Sequence, residues 1–219
     1  MKKNNRKAIK KAFTLAEVLV SLTVIGVISA LTLPAINASA HKRANAEGCK
    51  KAYIVLSEAV DIARVSDPIE NWTFTDAAST TNFNKIKPHL NIVKECIGTS
   101  GCWVKPKALN NGTATNFTDN GYGSPTISFK TADGMNIAFD IHGESFNVTR
   151  KNTNTLLFAA DVNGDNPPNR LGDDVFIYVL GDNGLVPAGN DASGNGDCTR
   201  SGEGRDCAAR VINDGGINY

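Results

Sequence analysis

Apolar positions along the chain fall into three regimes. Over residues 13–36 they run almost unbroken, FTLAEVLVSLTVIGVISALTLPAI, with Glu17 the sole charged side chain. At about 1.5 Å per residue, a helix of that length spans about 36 Å, enough to cross a bilayer core of about 30 Å. Over 37–66 the pattern turns amphipathic. Cys49, Tyr53, Leu56, Val60 and Ala63 recur at steps of four, three, four and three and form one helical face, while Lys50, Lys51, Glu58, Asp61 and Arg64 occupy others. Ser66-Asp67-Pro68 ends the pattern, because the residue before a proline avoids the helical conformation. A helix over 13–65 would be about 80 Å long, more than one domain can cover, so its first half needs partners elsewhere.

Beyond residue 67 the period changes. Residues 67–125 are rich in Asn, Thr, Gly and Ser, carry Pro68, Pro88, Pro106 and Pro125, and read as a long irregular connection with one short helix over 82–94. Strands are expected over 126–130, 135–141, 145–149, 156–162 and 175–180. Turns at Asp133-Gly134 and His142-Gly143-Glu144 join the first three as an antiparallel meander. Residues 181–219, dense in Gly, Asn and Asp, read as a loop-like tail, and no internal repeat is present. The elements predict an α+β fold, one long N-terminal helix packed on an antiparallel β-sheet.

Charge sharpens the picture more than composition does. The 219 residues leave room for one ordinary domain plus an appendage, and the net charge of +1 gives no reason to require a nucleic acid. Yet Lys2, Lys3, Arg6, Lys7, Lys10 and Lys11 crowd the first twelve residues without one acid. Without those six, 17 basic residues face 22 acidic ones. Positive charge directly before an apolar span reads as targeting, with the N-terminal side held in the cytoplasm. An ordinary signal peptide competes, and Ala38-Ser39-Ala40 imitates its cleavage site. Its apolar region would be about 7–15 residues, however, and would not hold a glutamate that costs about 2.5–3.5 kcal/mol in a bilayer.

Residues 12–17, Ala-Phe-Thr-Leu-Ala-Glu, resemble the processing site of the type IV pilin and pseudopilin superfamily. A basic leader (1–12) ends in a small residue, a Phe opens the mature chain and a Glu follows four positions later. The resemblance implies that a prepilin peptidase cuts between Ala12 and Phe13 and N-methylates Phe13. It also implies a pilin-like fold, in which 13–36 spans the inner membrane, 37–66 continues the helix and 67–219 is an extracytoplasmic domain. Pro34 falls where such proteins carry a helix-loosening proline. The leader departs from the family pattern in ending with Ala12 rather than Gly. Glu17 then acquires a role in axial register: a neighbouring subunit's new amine at Phe13 can pair with its carboxylate, so that two costly charges satisfy each other. The implied function is a structural subunit of a type II secretion pseudopilus or a type IV pilus, with other subunits as partners. The alternative is a minor tip subunit, a membrane-tethered module for adhesion or DNA uptake.

Cysteines and acids carry the remaining chemistry. Cys96 with Cys102, and Cys198 with Cys207, are spaced as two local disulfides; zinc fits less well, since neither spacing matches a zinc knuckle and no His is near. Cys49, on the apolar helix face, reads as a buried small hydrophobe. Asp140, His142 and Ser145 crowd together, but no nucleophile elbow, zinc-protease motif or phosphate loop accompanies them, and no catalytic activity is expected. Asp161, Asn163 and Asp165 stand at alternate positions, as in calcium loops, with Asn169, Asp173 and Asp174 near enough to add oxygens. Asn166 and Gly172 depart from the EF-hand pattern, and an Asx-rich turn is the competing reading. No other cofactor is expected.

Overall fold

A computed structural model describes residues 13–75, 79–110, 127–142, 155–181, 183–189 and 198–219. The chain divides into two compact units, Met1–His41 and Lys42–Tyr219. Helix α1, Leu15–Ser66, begins in the first and ends in the second. In the first unit its large apolar side chains lie open: Leu15, Val20, Leu22, Ile25 and Leu31 are all exposed. This stretch is long and apolar enough to cross a membrane, and none of its most apolar window is buried. Three of its hydroxyls are satisfied within the helix. Ser21, Thr23 and Thr32 each donate to the carbonyl four residues back.

In the second unit α1 buries Ala46, Cys49, Ala52, Leu56, Ala59, Val60 and Ala63, one face at helical spacing. Small residues dominate that face and let the backbone come close to its neighbours. Gly48 is the extreme case: a β-carbon there would meet the Val162 Cβ at 2.8 Å. Tyr178 donates from its hydroxyl to the Cys49 carbonyl at 2.7 Å and stacks on Tyr53, fixing the helix against the sheet.

The sheet is an antiparallel meander in strict chain order: β1 (Ile92–Ile97), β2 (Ile127–Thr131), β3 (Asn136–His142), β4 (Thr155–Asp161), β5 (Val175–Gly181) and β6 (Gly184–Pro187). Its α1-facing side contributes Phe129, Phe139, Phe158, Phe176 and Tyr178 to the main core. Phe83, from helix α2 (Ser79–Ile86), inserts between Phe129 and Phe139 with both ring centroids at 5.4 Å. The other side buries Ala138, Leu157, Ala159, Ile177 and Val179 with Leu171 and Ala188. Strands β4 and β5 are thus covered on both faces, which is why they read as continuous apolar runs rather than alternating ones.

Three expectations need correction. The helix expected over 82–94 is the shorter α2, because Pro88 sits in a short 3-10 turn and the chain re-emerges as β1. That strand escaped notice because it is an edge strand with Val93 exposed, so burial leaves no clean alternation. The tail over 181–219 is not all loop. It supplies β6 and helix α3 (Cys207–Asp214), whose Ala208 and Val211 enter the main core and whose end is closed by Gly215 in the left-handed conformation. The strand expected over 145–149 lies outside the described residues.

Candidate functional site

The N-terminal end of α1 is built by a reciprocal cap. Thr14 precedes the first helical residue, and its backbone N–H and its hydroxyl both donate to Glu17 Oε2 at 2.8 Å. The Glu17 N–H returns a bond to the Thr14 hydroxyl at 3.2 Å. This is a Thr-x-x-Glu capping box, satisfying donors that a helix start leaves orphaned and placing a carboxylate at the positive end of the helix dipole. The signal stood in the sequence as Thr14-Leu15-Ala16-Glu17, but the reading of Glu17 as a charge for a neighbouring subunit passed over it. Phe13 is largely exposed just before the cap. Ala12, and with it the bond expected to be cut, lies outside the described residues. Pro34 sits inside α1, where it deprives the helix of one N–H donor, and the helix continues past it.

Both cysteine pairs are disulfides, Cys96–Cys102 with S–S 2.05 Å and Cys198–Cys207 with S–S 2.20 Å. The first links β1 to the segment that follows it, and the second ties the start of α3 to the chain before it. Cys49 is free and fully buried. Burial pushes its thiol up to about 12, beyond the reach of thiolate chemistry at neutral pH. Of the crowded trio at 140–145, Asp140 is buried in β3, His142 ends that strand and Ser145 lies outside the described residues.

The acidic loop between β4 and β5 divides its carboxylates into two groups. Asp165 turns outward to an ion pair with Lys130 at 2.6 Å and a bond from Asn136. Asp173 is met by Arg170 and Arg200. Asp161 and Asp174 instead turn inward and are at most 1% exposed. Asp174 accepts the backbone N–H groups of Asn169 and Arg170 and the Asn163 carboxamide. Asp161 accepts the amides of Asn163 and Gly164. Burial first, then the Asp174 charge, pushes the Asp161 carboxyl up to about 8, and burial likewise raises Asp174. Among the described residues no donor reaches the buried Oδ1 atoms of Asp161, Asn163 and Asn169. An atom of this kind left without any partner, water included, costs about 1–3 kcal/mol. Of the residues that sequence spacing grouped, Asn163 bonds to Asp174 and Asp161 is buried in the same loop, while Asp165 pairs with Lys130 and Asp173 with Arg170 and Arg200.

Residues 7–33 match the family model for the prokaryotic N-terminal methylation motif. The chain therefore carries the prepilin-type N-terminal segment characteristic of type IV pilins and pseudopilins. Its architecture, a long apolar N-terminal helix with a six-stranded antiparallel sheet, is α+β and pilin-like. No curated protein and no solved structure matches the chain.

Proposed function

We propose that the chain is a structural subunit of a pilus-type filament, a pseudopilin of a type II secretion system or a pilin of a type IV pilus. One observation carries the reading: a methylation motif leads directly into a helix whose apolar surface nothing in the described chain covers. A membrane covers that surface before assembly, and neighbouring helices cover it afterwards. In this reading a prepilin peptidase cuts after Ala12, Phe13 becomes a methylated amine, and the globular domain stands outside the inner membrane. The disulfides fit such an oxidising compartment. The second compact unit offers a further contact strip on α1, where Ile54, Ile62 and Val65 are exposed beside Glu58.

Glu17 has two uses in this account. In the isolated chain it caps its own helix; in a filament the amine of a neighbouring Phe13 pairs with the same carboxylate and sets axial register. Mass spectrometry of the membrane-extracted protein should find methylated Phe13 at the N-terminus. A start at His41 would mean ordinary signal-peptide removal and end the proposal. Glu17→Gln keeps an acceptor for the cap but removes the charge. It should be cleaved normally yet appear in sheared filaments at a tenth of the wild-type level or less. Wild-type incorporation of Glu17→Gln would leave the cap as the sole role of Glu17.

A further inference from the structure

Resting on the reading of α1 as a membrane helix, we propose that Lys42 and Arg43 form a lipid headgroup site, where the two cations hold phosphates of anionic phospholipids on the extracytoplasmic face. From Val18 to Ala40 the chain carries no charged side chain, and Lys42 and Arg43 follow Ile36, the last residue of the apolar run, by six and seven positions. Both are exposed. Six residues of helix rise about 9 Å, and the headgroup layer on each side of a bilayer core is about 5–8 Å deep. Their long apolar stems let both cations reach back into that layer.

Ion pairing separates these two from the other cations of α1. Lys50 pairs with Glu47 at 3.1 Å, Lys51 with Asp133 at 2.8 Å and Arg64 with Asp61 at 3.4 Å. Glu47 is the first acid after Glu17, so the helix itself offers Lys42 and Arg43 no nearer carboxylate. Among the described residues neither enters an ion pair. Exposed cations need none, since water solvates them. What marks this pair is the side of the membrane on which it stands.

Lysine and arginine close to a membrane span collect on its cytoplasmic side, and the opposite flank is kept poor in them. Here the flank that lies outside carries both. The leader outweighs them while it is attached, with six cations against these two. Cleavage after Ala12 removes all six and leaves one new amine on the cytoplasmic side. The positive side chains beside the span then stand at its outer end, where anionic headgroups are the first ligand of opposite sign. The site holds the processed subunit by that end until a filament takes it up.

The two side chains meet phosphate in different ways. The planar guanidinium of Arg43 matches both free oxygens of one phosphodiester, while Lys42 supplies a compact charge. Successive positions on a helix point about 100° apart, so the pair reaches two lipids rather than one. A zwitterionic lipid brings its own cation into the same layer, so lipids of net negative charge are preferred.

The test is spin labelling of the full chain in nanodiscs that hold one copy each, so that no second subunit competes for the site. A nitroxide on Ala44→Cys reports from beside the pair, because Ala44 is exposed, Cys49 is buried and the other four cysteines are bridged. Exchanging part of the phosphatidylcholine for phosphatidylglycerol at low salt should cut nitroxide collisions with an aqueous nickel chelate by about twofold or more. High salt should reverse the change, since it screens exposed charges. With Lys42→Gln and Arg43→Gln added, the response to phosphatidylglycerol should vanish while the melting temperature stays at the wild-type value. The leader is the same in both chains and faces the other leaflet, so it cannot supply the difference. A labelled parent chain indifferent to phosphatidylglycerol, a response that survives the double substitution, or one that high salt leaves intact would each overturn the site. A chain that does not insert into nanodiscs at all would overturn the membrane reading of α1, and the site with it; insertion without lipid selection overturns the site alone.

Discussion

Gly48→Ala tests how closely α1 lies against the globular domain. On an exposed helix, replacing glycine by alanine stabilises by about 1 kcal/mol, because alanine loses less backbone entropy on folding. At Gly48 the added β-carbon would lie 2.8 Å from the Val162 Cβ and 2.9 Å from its Cγ2. Neither atom is the far end of a flexible side chain, so helix and loop must move apart. Overpacking of this kind costs about 1–3 kcal/mol, and the balance predicts net destabilisation of up to about 2 kcal/mol. For a domain of this size that lowers the Tm by up to about 8 °C in a detergent-solubilised melt. The cycle with Val162→Ala supplies the control. Removing both methyl groups takes away two of the three contacts, so Gly48→Ala should cost less in that background. If Gly48→Ala stabilises the wild type, or costs the same in both backgrounds, the close approach is not what glycine serves here.

Replacing Cys96 and Cys102 together by alanine should cost about 2–3 kcal/mol on the loop-entropy argument, with the fold retained, as circular dichroism and an unfolding curve would show. Complete loss of folding would mean that the short bridge organises far more than its own loop. Cys49 should resist alkylation by iodoacetamide in the native protein and react fully in denaturant, because its thiol is buried and its ionisation is suppressed by desolvation. Native labelling at the rate of an exposed thiol would contradict the packing around Tyr178.

How much was legible in the sequence depended on how local the causes were. The N-terminal half of α1 could be read almost completely, since length, charge and the Phe13–Glu17 spacing act within a few turns. The amphipathic half could be read for the same reason: the Cys49–Ala63 face is a periodicity, and those residues are buried or, for Tyr53, half-buried. Strands β2 to β5 showed as apolar runs. Strand β1 did not, because four of its six side chains are exposed, and α3 did not, because its eight residues gain helical stability from the core contacts of Ala208 and Val211 rather than from propensity. Both depend on partners distant in the sequence.

The acidic loop shows the same limit within a single site. Alternation of Asp161, Asn163 and Asp165 suggested that all three oxygens converge, yet one residue after Gly164 the chain has turned and Asp165 meets Lys130 from β2, thirty-five positions away. Asp173 is drawn off by Arg200 in the same manner. Spacing can put oxygens on one loop, but whether each faces inward depends on which cations the rest of the fold sets outside. Lys130 and Arg200 neutralise the outer carboxylates and leave Asp161 and Asp174 with none. An acid-rich loop that needed only to be soluble would keep all its charges in water. Here two are withdrawn from solvent while their neighbours are paired with arginine and lysine. Without an ion pair among the described residues, a buried carboxyl is relieved by holding its proton, and burial accordingly pushes the Asp161 carboxyl up to about 8.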